Sequence, residues 1–452
     1  MQSETQEPSG SARGASGNED HGVEIADSGP FLAAPTAQAE RRNFTTLALY
    51  QILHRVGWIF KTESVVMPAF LDYIGGTAWL RGCLPLLNRV GHSVPPVLFS
   101  RRLKVMPQKK WALVVCAVLM GLPWLLLSSA WCFLGGERAA WMPWAFLVLY
   151  GLFFVAVGLN QMVLHTLTGK LVRATRRGRL LTMSTAIGAP AAIVAAGIFL
   201  GPWLARPDHG FGYIFGFTGL MFLVSIVFAL ALAEPADAYK EKSRGPLHRF
   251  TSAYRVIHED RNFRRLAIVA ALFSTVLMLF PHYQALGREY LDLNLDNLML
   301  WVIVQNAGTG LFSLLAGPVA DRSGNRRVLR VVIMLSAVSP IIAATFALFP
   351  PEVGRNLFWI VFVPIGLTPV SVKVLANYTL EICPPSEHPR YISTLSLCIA
   401  GPIMLFSPLI GLSVSLTSFG TVFVAGALVI LTAGLLTWRL PEPRHGEVAT
   451  EK

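Results

Sequence analysis

The chain has 452 residues, of which 53% are apolar and only 14% charged, and its net charge is +12. A soluble chain of this length would make about two or three domains with a larger charged fraction, so a soluble class is excluded. The basic residues sit in short loops between apolar runs, which points to membrane topology rather than to nucleic-acid binding.

Residues 1–43 are rich in Ser, Gly, Ala and Glu and poor in large apolar side chains, the composition of a disordered tail. They have no apolar core after a basic start, so they do not form a secretory signal. Twelve apolar segments follow. They run from about Leu47 to Asp72, Thr77 to Phe99, Trp111 to Leu134, Trp141 to Leu167, Leu180 to Leu204 and Phe211 to Ala233. The second six run from Leu266 to Leu286, Asn297 to Ala320, Val328 to Leu348, Leu357 to Leu380, Ile392 to Ser415 and Gly420 to Leu436. Each can cross a hydrocarbon core of about 30 Å. Each must be helical, because lipid offers no partner to a free N–H or C=O. The expected fold class is an all-α integral membrane protein of twelve helices in two six-helix bundles, 44–233 and 266–438. A central loop, 234–265, joins them, and a tail, 439–452, closes the chain. Residues Phe250 to Arg265 of the loop are expected to form a basic amphipathic surface helix.

Alternate loops are basic. That set, with the central loop, holds about 23 Lys and Arg, against about four (Arg138, Arg206, Arg288, Arg355) in the opposite set. The imbalance puts the basic loops and both termini in the cytoplasm and the protein in a plasma (inner) membrane. Trp111, Trp131, Trp141, Trp203, Trp359 and Trp438 fall near segment ends, as an interfacial belt would. The five cysteines lie mostly inside apolar runs, without metal-ligand spacing, and read as packing residues.

Charges inside a span are costly, and face a cavity or a partner. The first segment holds His54, Arg55, Lys61 and Glu63; the second holds Arg81, Asn88, Arg89 and His92. At the helical period Glu63 points about 200° away from Lys61. This predicts a Glu63–Arg89 pair between helices, with Arg55, Lys61 and His92 on a cavity that Asn88 and Arg89 also border. A second wall comes from His282, Gln305, Asn306 and Lys373. The basic bias favours an anionic cargo. The plainer reading, structural polar groups that are paired or snorkelling, stays open. Glu63 is the first candidate for a coupled proton, ahead of His54, His92 and His282.

The most specific stretch is the turn between the eighth and ninth segments, with Gly317, Asp321, Arg322, Gly324, Arg326 and Arg327. It resembles the cytoplasmic gate loop of the major facilitator superfamily, a group of secondary transporters. The resemblance covers about Asn43 to Arg444, and the subfamily is unassigned. Gly317 would let two spans approach, Gly324 would allow a tight reversal, and Asp321 would latch the cytoplasmic side to the neighbouring bundle. The first-half counterpart, Phe99-Ser100-Arg101-Arg102, lacks the Asp and the Gly, so such a latch would act mainly from the second half. Lys109-Lys110 before the third segment and Arg326-Arg327 before the ninth add a faint internal repeat.

The resemblance implies a secondary active transporter working by alternating access. Its expected partners are the lipid bilayer, a small-molecule substrate and a proton or other coupling ion. A non-transporting sensor or assembly factor on the same scaffold is the alternative. No phosphate-binding Gly-rich loop, metal cluster or nucleophile elbow is legible, so no enzyme activity, cofactor, metal or nucleic acid is expected.

Overall fold

The computed structural model describes residues 37–236, 254–384 and 387–442, and helices make up most of that length. The side chains of 37, 97, 100, 101, 104, 174, 175, 317, 321, 323, 353 and 389 are not among those described. The tails read at 1–43 and 439–452 and the loop at 234–265 fall largely outside the described residues. What is described of them differs in places from the reading. Helix α1, Ala37–Phe60, already begins inside the stretch read as a tail. The expected surface helix over 250–265 is split: a short helix covers 254–259, and Asp260 then caps a new helix whose first residue is Arg261. The Asp260 carboxylate accepts the N–H groups of Asn262 and Phe263, both at 2.9 Å, which is why the seventh apolar helix starts five residues early.

Among the described residues ten helices are long and apolar enough to cross a membrane. They are α4 (Lys110–Phe133), α5 (Met142–Leu171), α6 (Arg176–Leu204), α7 (Pro207–Leu230), α8 (Arg261–Tyr290), α9 (Asn297–Ala320), α10 (Asn325–Leu348), α11 (Phe358–Ile382), α12 (Arg390–Leu416) and α13 (Phe419–Arg439). Each overlaps one of the third to twelfth segments read from sequence. With that, the chain is an all-α integral membrane protein.

The first two segments depart from the reading, and their polar content is the reason. The first is broken: α1 stops at Phe60 and α2, Val66–Tyr73, resumes after a turn. The Thr62 carbonyl accepts the N–H groups of Val65, Val66 and Met67, and the Thr62 hydroxyl donates back to the Ile59 carbonyl at 2.6 Å. These bonds satisfy backbone that the break would otherwise orphan. The second segment is one long helix, α3 (Ala78–Val105), with three prolines inside it. Two helices end toward Arg206 and Tyr290 in a π turn, Ala196–Leu200 in α6 and Leu286–Tyr290 in α8.

Helices of residues 37–236 pack largely on one another, as do those of 254–442. An aromatic cluster fills the first group: Phe70 of α2 touches Trp131, Phe146, Phe211 and Phe215, with ring centroids 4.7–5.3 Å apart. Trp131 is therefore buried, not a belt residue, whereas Trp111, Trp141 and Trp438 are about half exposed. The main contact between the groups is α3 on α12. A Cβ on Gly82 would sit 2.7 Å from the Ser407 carbonyl oxygen and 3.0 Å from the Pro408 Cα, so only glycine fits there. The Ser407 hydroxyl, wholly buried, donates to the Gly82 carbonyl at 2.8 Å.

Candidate functional site

The break between α1 and α2 lies against α3 and sets the centre of the site. Because residues 61–65 are a turn and not a helix, Lys61 and Glu63 meet: the ammonium lies 2.8 Å from the Glu63 carboxylate. The helical-period argument that set them about 200° apart does not apply across a break. Glu63 also accepts from the Asn88 amide. It thus takes Lys61 and Asn88 rather than the expected Arg89. Lys61 is fully enclosed, its Nζ 3.0 Å above the Trp58 ring and 4.6 and 5.0 Å from the Phe154 and Phe153 centroids. A cation held between a carboxylate and aromatic faces is well compensated for leaving water.

Next to this pair is a cleft of about 30 Å³, bordered by Glu63, Asn88, Arg89 and Tyr150 on one side and by Leu277 and Phe280 of α8 on the other. It is large enough for about one or two waters. Arg89 sits beside Glu63 there without a hydrogen-bond partner among the described residues. His92 is on the next turn, its ring held by the Asn88 carbonyl at 3.0 Å and by Gln161 at 3.4 Å. Above the cleft Ser64 donates to the Gln305 side chain at 2.5 Å, joining the first group to α9. Asn306 turns back onto its own helix, to the Val302 carbonyl. His54 is satisfied inside the first group, 3.0 Å from the Ser225 hydroxyl and stacked near Tyr50.

Toward the basic loops lie Arg55 of α1, half-buried, and Lys373 of α11, one in each group. Neither has a carboxylate partner among the described residues, and Lys373 is exposed.

At the opposite end lies a cluster that sequence reading missed. Arg81, 2% exposed, holds Asp72 at 2.8 Å and Glu289 of α8 at 2.5 Å through one guanidinium nitrogen. Gln284, also of α8, donates to the same Asp72 oxygen at 2.6 Å. His282, fully buried nearby, has both ring nitrogens unpartnered among the described residues. A signal was available: Arg81 is a charge inside a span with no carboxylate in that span, and such a charge needs a partner from elsewhere.

In the Gly317–Arg327 turn, Gly324 has φ of 82° and separates the helix ending at Ser323 from α10. Arg326 donates to the Trp438 carbonyl at 3.1 Å, and Arg322 and Arg327 are exposed. The roles read for Asp321 and Gly317 fall on positions whose side chains lie outside those described.

This is the architecture of a helical membrane protein. The family model for the Major Facilitator Superfamily matches residues 286–452. Among solved structures, the nucleoside transporter NupG in a mutant form is 11% identical, with 88% of this chain and 100% of that one covered and a TM-score of 0.70. A D-xylose–proton symporter is 15% identical over 89% of this chain and 99% of its own, with a TM-score of 0.66. The E. coli fucose:proton symporter FucP is 11% identical over 88% and 98%, with a TM-score of 0.57. No curated protein matches the chain. The resemblance carried by the Gly317–Arg327 turn is thereby borne out: the protein is a major facilitator in fold, subfamily unassigned.

Proposed function

We propose that this protein is a secondary active transporter that moves a small anionic solute by alternating access, coupled to protons. In this reading α1–α2 and α3 are the first two of twelve spans. The two six-helix bundles are 44–233 and 266–438, and the basic loops and both termini face the cytoplasm of a plasma (inner) membrane. Two of the similar structures named above are proton symporters, which supports the coupling.

The observation that carries the anionic cargo is the pair of cations Arg55 and Lys373, one in each group and neither with a carboxylate partner among the described residues. Two cations at the mouth of a low-dielectric cavity repel, and an anion bound between them removes that repulsion. Arg89 extends the same field inward to the Glu63 cleft. Glu63 supplies the coupling. Protonating it deprives Lys61 of its counter-charge and raises the positive potential of the cavity, which favours the anion. Proton and anion then strengthen one another's binding by the same factor.

The test is a thermal-shift screen of small anions on purified protein, followed by uptake into proteoliposomes under a pH gradient. A ligand at about 100 times its Kd adds about 2.7 kcal/mol to the folded state. The expected result is an anion that stabilises the wild type and has a weaker effect on Lys373→Gln and Arg55→Gln. Glu63→Gln, if its melting temperature is near wild type, should bind the anion yet lose pH-gradient-driven uptake. Full gradient-driven transport by that variant would rule Glu63 out. Binding without any transport by the wild type would favour the sensor alternative.

A further inference from the structure

At the basic end of the second group the early start of α8 has a consequence beyond the transport path. Arg261, Arg264 and Arg265 occupy the first turn and a half of a spanning helix, where Asp260 has capped it. They face the last turn of α13. Together with Arg439, Leu436 and Ile268 they line a cleft of about 250 Å³. Each guanidinium carries five N–H donors. Arg265 spends one on the Arg439 carbonyl at 3.2 Å, which ties the two helix ends together, and Arg264 one on the His258 carbonyl at 3.4 Å. None of the four has a carboxylate partner among the described residues. The nearby acids are engaged elsewhere. Asp260 accepts two backbone N–H groups and the Tyr391 hydroxyl at 2.8 Å, and Glu259 faces Arg255 at 3.8 Å.

Immediately below the guanidinium rim the walls turn apolar. Ile268 is 49% exposed, one turn further along α8 than Arg264 and Arg265, and Leu436 borders the cleft from α13. Both belong to helices long and apolar enough to span a membrane, so this exposed surface meets lipid. The occupant must then match two chemistries stacked along one axis, a phosphate-sized anion at the rim and a hydrocarbon chain along the wall. We propose that this cleft is a binding site for an anionic phospholipid, with its headgroup phosphate among Arg261, Arg264 and Arg439 and an acyl chain along Ile268 and Leu436. In the proposed orientation the site faces the cytoplasmic leaflet, where clustered basic residues beside a span recognise anionic headgroups. It lies apart from the Glu63 cleft and does not depend on the identity of the cargo.

The full chain in detergent is titrated with phosphatidylglycerol, with phosphatidylcholine of the same acyl chains, and with inorganic phosphate. Retained lipid is read by native mass spectrometry and the melting temperature in parallel. Phosphatidylglycerol should be retained well above phosphatidylcholine. Arg439→Gln should weaken that preference about fivefold, and Arg264→Gln with Arg439→Gln roughly twenty-five-fold, at about one such factor per arginine. Equal retention of the two lipids by the wild type overturns the proposal, as does a preference that survives in the double variant. Stabilisation by inorganic phosphate equal to that by phosphatidylglycerol overturns the lipid as occupant. If the double variant melts early in phosphatidylcholine, the single Arg439→Gln variant decides.

Discussion

The two ends of the interface between the helix groups are built on opposite plans. At the end away from the basic loops, several polar bonds run between groups. Arg81 reaches Glu289, Gln284 reaches Asp72, and Ser407 reaches the Gly82 backbone. At the basic end the described ion pairs and polar bonds run within one group. Glu40 holds Arg173 at 2.9 Å, Glu234 holds Lys170 at 2.8 Å and two backbone N–H groups at the start of α4, and Asn325 holds Glu381 at 2.8 Å. Arg55 and Lys373 lie there, one in each group, with no carboxylate partner among the described residues. Bonds between groups clamp one end, while bonds inside each group stiffen the other without joining it. The proposed alternating access needs this difference, and the proposed anion would be the bridge on the unclamped side.

The comparison breaks most sharply at Arg81. Arg81→Met leaves Asp72, whose side chain is 15% exposed, facing a thioether. Losing one partner of a buried pair costs about 3–5 kcal/mol, with the half-exposed Glu289 adding little. The clamped end should open, read as faster labelling of the native Cys83, which is buried and follows Arg81 and Gly82 in the chain. Unchanged labelling would mean that helix packing alone holds that end. Gly82→Ala probes that packing. The new Cβ meets backbone at 2.7 Å, and the overpacking should cost about 1–3 kcal/mol and open the same end with Arg81 intact. The smallest effect belongs to the other side. Lys373→Gln removes one exposed cation and should leave labelling at Cys83 near wild type while weakening anion binding about fivefold, the size of one exposed charge contact. A loss of stability in this variant would instead make Lys373 a structural residue.

How much of this was legible depends on the scale of the signal. Ten spanning helices follow from apolar runs alone, because no other backbone is stable in lipid. The break at 61–65 left no trace, since Lys61-Thr62-Glu63-Ser64 contains neither Gly nor Pro, and a helical wheel drawn through it misplaced Glu63. The central residues were singled out in the sequence, but the partners that the structure gives them were not. Periodicity gives the face of a residue and says nothing of who faces it across a packing interface. Asp72 closes the first segment and Glu289 follows the seventh, and only tertiary packing brings them to one arginine.

The clamp also depends on a count of residues. The last turn of α8 is wound wider than an α-helix over Leu286–Tyr290, and Glu289 sits inside it. Such a turn takes in one residue more than the regular coil would. Removing one residue there would restore the ordinary pitch and swing every later side chain by about 100° around the axis. The carboxylate would then face away from its arginine with no chemical group altered, so the phase of a single helix turn keeps this end shut as surely as the charges do.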